Sequence, residues 1–130
     1  MNEEELKEVQ DYITALESVN PFVIYIYRVR ASEKTGMLFK TEQRIEQETL
    51  SAPWGQVLHV SPHNCDDEDA NLRKERVKVG NYVSFVPTNV VKGGYPKHPL
   101  LQRIGVLDIF DSISEENFGK LIKGKVTVGL

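Results

Sequence analysis

Cysteine is nearly missing from this chain of 130 residues: Cys65 stands alone. It cannot close an internal disulfide, and without a second cysteine the usual cysteine-rich zinc cage is excluded, so a reducing compartment is expected. Long hydrophobic runs are lacking as well. No stretch approaches the ~20 apolar residues that span a bilayer. The first five residues carry Glu3, Glu4 and Glu5 where a secretory leader would be basic, which reads as a cytoplasmic protein. Nor is there a dominant charge. Sixteen Lys and Arg against nineteen Asp and Glu leave a net charge of −3, which argues against a general nucleic-acid binder. Neither a Walker sequence nor a Gly-x-Gly-x-x-Gly loop occurs, and Gly93-Gly94 reads as a turn. No pair of carboxylates and no Ser/His/Asp arrangement singles out a reaction. The expectation is a protein that is not an enzyme and carries no cofactor.

What is present is ordinary for one soluble globular domain: 40% hydrophobic and 27% charged residues. Leu6, Val9, Ile13 and Leu16 recur at helical spacing, predicting a short amphipathic helix over 3–17 that ends near Asn20-Pro21. Residues 22–29 are β-branched and aromatic almost throughout, as in a strand buried on much of both faces. A second strand is expected over 55–60, with Trp54 at its start and Ser61-Pro62 as its stop. A third follows the Gly80-Asn81 turn and runs to Val86, and another covers 103–110. Ser112 or Ser114 is expected to cap a turn at Glu115-Glu116, and Val126 and Val128 suggest an edge strand in the tail. Between these elements, residues 30–53 read as a long, mobile functional loop. Asp66 to Asp69, followed by Arg73, Lys74, Arg76 and Lys78, read as a solvated hairpin of mutually neutralising charge. Short strands with helix confined to one end predict a mainly β fold, a small barrel or sandwich.

Three constellations invite a chemical reading. His59, His63 and Cys65, with Asp66 and Asp67, put several possible zinc ligands close together, but at no recognised ligand spacing. Cys65 as a nucleophile would need His63 or His98 as its base, and nothing in the spacing brings them together. Tyr25, Tyr27 and Phe85 suit base stacking on a barrel face, although core packing accounts for them more simply. The tripeptide Met37-Leu38-Phe39 differs from these. Three large apolar residues inside a polar loop forgo about 1.5–3 kcal/mol each if left in water, so either a partner or the barrel's own core is expected to bury them.

The order of these features resembles the GroES family of co-chaperonins. Residues 77–85, Val77-Lys78-Val79-Gly80-Asn81-Tyr82-Val83-Ser84-Phe85, are similar to the family's Val-Lys-Val-Gly-Asp-x-Val-x-Phe strand. Gly55-Gln56-Val57-Leu58-His59-Val60 resembles its Gly-x-Val-x-x-Val strand. Thr35-Gly36-Met37-Leu38-Phe39 matches the Gly-Gly-Ile-Val-Leu element of its mobile loop, and residues 105–113 look like its closing strand. The likeness spans about residues 20–116. It implies a GroES-like irregular β-barrel over 20–117, with an N-terminal helical extension over 1–19, a mobile loop over about 30–53 and a C-terminal extension over 118–130. It further implies a homo-oligomeric ring of seven that caps a double-ring chaperonin and assists protein folding, with ATP bound by the partner. Gly36, Met37, Leu38 and Phe39 would make the chaperonin contact, and residues 63–76 would form the hairpin roofing the dome. The helix over 3–17, the tail after Asn117 and the long loop over 86–101 depart from the family pattern. Such decoration suggests a divergent relative, perhaps a viral one acting in a host cytoplasm. The alternative function is a structural or assembly protein, for instance of a viral particle, that keeps the barrel and uses its helix as the oligomer or partner contact.

Overall fold

A computed structural model describes residues 2–16, 20–29, 34–35 and 38–122. The first helix, α1 (Glu3–Ala15), is capped by Asn2, whose side chain accepts from the Glu5 amide at 2.8 Å. Glu3, Glu4 and Glu5 lie at the positive end of its dipole. Its apolar stripe is real: Val9 and Ile13 are buried against Tyr25, Leu58 and Leu101.

The strands are β1 (Val23–Arg28), β2 (Lys34–Thr35), β3 (Leu38–Phe39), β4 (Trp54–Val60), β5 (Tyr82–Phe85), β6 (Val91–Lys92), β7 (Leu101–Gly105) and β8 (Ile109–Ile113). Six of them form one antiparallel sheet in the order β6-β7-β1-β4-β5-β8, and β2 pairs with β3 in a second sheet of two strands. Strand β1 lies between β7 and β4 and is covered on both faces. Ile24 and Ile26 join Val57, Val83, Phe85 and Ile104 in one core cluster, while Tyr25 packs under α1. That double burial is why residues 22–29 read as continuously apolar instead of alternating. Tyr25 and Phe85 are core residues, as packing predicted, and Tyr27 is half-buried. Gly80, at φ +95°, makes the left-handed turn into β5 that a side chain would strain.

The expected mainly β barrel is corrected in two respects. Among the described residues the sheet is open, with edges at β6 and β8, and about 40% of them are helical against about 29% in strands, so the class is mixed α/β. The sheet is nonetheless curled. Strands β7 and β8 are four strand spacings apart in sheet order, ~19 Å if the sheet were flat. The passage from Gly105 to Ile109 is a single 3-10 turn, Val106–Asp108, too short to bridge more than ~14 Å. The expected strand over 103–110 is therefore two strands and a corner. The buried Val106, whose amide donates to the Phe22 carbonyl at 2.8 Å, holds that corner.

Two segments expected to lack regular structure are helices. Within the expected loop over 30–53 lies α2 (Glu42–Ser51), capped by Thr41, whose hydroxyl accepts from the Arg44 amide at 3.1 Å. In place of the expected hairpin over 63–76 lies α3 (Glu68–Arg76), capped by Asp67, whose carboxylate accepts from the Asp69 and Ala70 amides. Its charge run is a dipole pattern, with Glu68 and Asp69 in the first turn and Arg73, Lys74 and Arg76 in the last. Asn71 clamps the start of this segment by accepting from the Cys65 amide at 2.7 Å and donating to the Cys65 carbonyl at 2.9 Å. Ser114 caps the short α4 (Glu115–Asn117), as expected. A further helical turn, Phe118–Ile122, follows where an edge strand was expected to begin; Val126 and Val128 lie outside the described residues. Phe118 is buried, stacked on Tyr82 at 3.8 Å and edge-on to Trp54 at 5.5 Å, so this part of the C-terminal extension is built into the core. No helix among the described residues is long and apolar enough to cross a membrane.

Candidate functional site

Strands β2 and β3 form a hairpin outside the main sheet, in the register Lys34↔Phe39 and Thr35↔Leu38. Of the four residues expected to dock, Gly36 and Met37 lie outside the described residues. Leu38 and Phe39 do form a short strand, but it is not part of the core: they are 74% and 72% exposed. Two adjacent large apolar side chains left mostly in water forgo hydrophobic burial that docking would recover.

The hairpin is fixed at its foot. Lys40, whose side chain is buried, pairs with Glu48 of α2, and Arg44 donates to Glu48 at 3.0 Å. The Lys40 hydrogen bond, with that of Arg44, holds the Glu48 carboxyl below the usual carboxylate range. Helix α2 is in turn fixed by Arg28, which points from β1 among apolar neighbours and is only 2% exposed. Its Nη1 donates to Gln102 Oε1 at 2.9 Å, and its Nη2 donates to the carbonyls of Thr49, Leu50 and Ala52 at 3.1, 2.7 and 2.6 Å. The guanidinium also lies 5.1 Å from the Phe85 ring centroid. Burial pushes its pKa down to about 10, so it remains charged at neutral pH. The carbonyls at the negative end of α2 take the place of a carboxylate partner. A chain of contacts thus runs from the main sheet through Arg28, α2 and Lys40 to Leu38 and Phe39. Sequence reasoning missed Arg28. The available signal was a cation two residues from Ile26 and four from Ile24, and so on the core side of a period-two strand.

A second polar constellation ties α1 to the loop over 93–100. Glu8 accepts from the Tyr95 hydroxyl and, at 3.3 Å, from Lys97 Nζ. Tyr12 stacks on Tyr95 at 4.6 Å and donates to the Gly93 carbonyl at 3.0 Å. His98 is buried, with Nε2 3.9 Å from Glu8 Oε2, beyond hydrogen-bond reach. The Tyr95 hydrogen bond, followed by that of Lys97, holds the Glu8 carboxyl low, and Glu8 raises the Tyr95 hydroxyl. This arrangement clamps the helix.

The other sequence candidates are not brought together. His59 is half-buried, edge-on to Tyr25 at 6.2 Å, and its pKa is lowered by burial. His63 is exposed, whereas Cys65 is buried with Sγ donating to the Pro21 carbonyl at 3.5 Å. Among the described residues, no three His, Cys, Asp or Glu side chains are grouped to hold a metal. No protein-family model, curated protein or solved structure matches the chain.

Proposed function

We propose that this chain is a non-enzymatic docking protein of the co-chaperonin kind, which engages a double-ring chaperonin through the β2–β3 hairpin while assembled as a ring. The exposure of Leu38 and Phe39 on an anchored hairpin carries this reading. The partner class rests on the resemblance of four segments, in order, to the GroES family. Burying both side chains would contribute about 3–6 kcal/mol per arm before the cost of ordering the hairpin. One arm is therefore weak, and several arms on one ring gain affinity through effective concentration.

The test is native mass spectrometry of the chain with a bacterial double-ring chaperonin and ADP. Wild type should form a capped complex, and the Leu38→Ser/Phe39→Ser variant should not, with its thermal melt unchanged because neither residue is buried. A capped complex that survives the double substitution, or no complex with wild type, would overturn the reading. A stable oligomer that ignores the chaperonin would instead favour the structural or assembly role. In that role α1 would offer Leu6 and Leu16, which are exposed, while the chain's own sheet covers Val9 and Ile13.

A further inference from the structure

The chain leaves β8 through a fixed turn. The Ser114 hydroxyl accepts from the Asn117 amide at 3.3 Å, and the Ser114 carbonyl accepts from the Phe118 amide at 2.8 Å. Of residues 114–120, Phe118 alone is buried, and a side chain added at Gly119 would meet nothing within 4 Å. This stretch therefore lies on the surface and sends one ring inward.

The ring enters a slot whose walls come from distant parts of the chain. It stacks on Tyr82 at 3.8 Å, meets Trp54 edge-on at 5.5 Å and shares its cluster with Ala52, around which Val29 and Ile113 also pack. Ala52 ties this slot to the hairpin. It is the fully buried C-cap of α2, its amide donates to the Glu48 carbonyl at 3.0 Å, and its carbonyl accepts from Arg28 Nη2 at 2.6 Å. Within α2 the buried positions among the described side chains are Ile45 and Thr49, so a helix with so little inward surface depends on what holds its end. One turn before Ala52, Glu48 pairs with Lys40, the residue that follows Phe39. Phe118 thus covers the same residue that Arg28 grips, next to the ion pair at the foot of the hairpin.

We infer that residues 114–120 are a strap, and that the seating of Phe118 between Trp54, Tyr82 and Ala52 sets whether α2 holds the β2–β3 hairpin in its docking position. With the ring withdrawn, Ala52 loses its cover, the last turn of α2 frays and Glu48 no longer fixes Lys40. The coupling is reciprocal: a partner that favours the held hairpin favours the seated strap to the same degree. The effect on α2 stands by itself, whereas the effect on docking rests on the chaperonin reading.

Hydrogen exchange on the full-length chain, followed by mass spectrometry in fragments covering α1 and α2, tests the strap with Phe118→Ala, Phe118→Leu and, as a core change away from the slot, Ile13→Ala. Phe118→Ala should lower the protection of α2 at least about tenfold more than that of α1, because the opening is local. Phe118→Leu refills part of the slot and should fall between wild type and Phe118→Ala. Ile13→Ala should lower α2 no more than α1. The inference fails if Phe118→Ala leaves α2 as protected as in wild type or loosens both helices equally, and Phe118→Leu decides by the same comparison if the alanine variant does not fold. With a bacterial double-ring chaperonin and ADP, Phe118→Ala should bind about tenfold more weakly and Ile13→Ala within about twofold of wild type, since an unheld hairpin must be ordered on docking. Wild-type affinity in Phe118→Ala would overturn the strap's part in docking. No binding by wild type would overturn the chaperonin reading instead, and the exchange result would still decide the strap.

Discussion

Arg28 links the main sheet to the C-terminal end of α2, whose Glu48 in turn pairs with Lys40 at the foot of the hairpin. Arg28→Met keeps much of the volume but strands three carbonyls and the Gln102 side chain without their donor. The expected loss is about 3 kcal/mol, read from the urea midpoint. Arg28→Lys should fall between, since one ammonium cannot reach four acceptors in two directions. A midpoint unchanged in Arg28→Met would mean that α2 is held by something else. Glu8 acts at the other end of the molecule and gives the protein a dependence on acid. Its carboxyl lies below the ordinary value of 4.5, chiefly through the Tyr95 hydrogen bond. A carboxylate lowered in the folded state stabilises the fold above its unfolded pKa, and that contribution is lost as pH falls through the folded value. Protection of the α1 amides, corrected for the intrinsic exchange rate at each pH, should thus fall below about pH 4.5 in wild type. Glu8→Gln should already exchange faster at neutral pH and show a flatter acid response; identical profiles would remove Glu8 from the clamp.

At the level of elements, the helices divide by what holds them. Helix α1 has a buried stripe, and Ile13→Ala should cost about 2–5 kcal/mol by opening a cavity against Tyr25 and Leu101. Helix α3 buries only Ala70, so its cap matters more than its packing. Asp67→Ala should cost about 1 kcal/mol in denaturant melts. This division also explains what could be read in advance. Helix α1 and strands β4 and β5 were legible because burial leaves a period in the apolar residues, and β1 because it is an unbroken β-branched and aromatic run. Helix α2, with Ile45 and Thr49 as its inward positions, and α3, with one alanine, leave no such period. Their signals were Thr41 and Asp67 as caps and a charge gradient, which are weaker than an apolar stripe. The corner at Val106 was illegible for the opposite reason: residues 101–113 are suited to strand on both sides of it, and the bend is held by distant groups, the Phe22 carbonyl on the Val106 amide and Arg73 on the Leu107 and Ile109 carbonyls. Of the candidate site, Leu38 and Phe39 stood out as apolar residues in a polar stretch. Arg28, Glu8 and His98 depend on distant segments meeting, which no local pattern encodes.

For the whole molecule, the ring reading expects a particle several-fold heavier than the 14.8 kDa chain at micromolar concentration, and a strict monomer by light scattering would contradict it. The exposed Leu38 and Phe39 make the free chain prone to association, so assembly should compete with aggregation as concentration rises. The buried Cys65 has a further consequence. Because no other thiol is present, a thiol-specific reagent can reach the chain's sulfur only when the joint between Pro21 and α3 parts. Its labelling rate is then an internal clock for the opening of that joint, readable without introducing any reporter. If the joint opens by losing α3, Asp67→Ala should quicken the clock about fivefold. If it opens by lifting Pro21 away, Asp67→Ala should leave the clock unchanged, and the chain would report which side of the joint parts first.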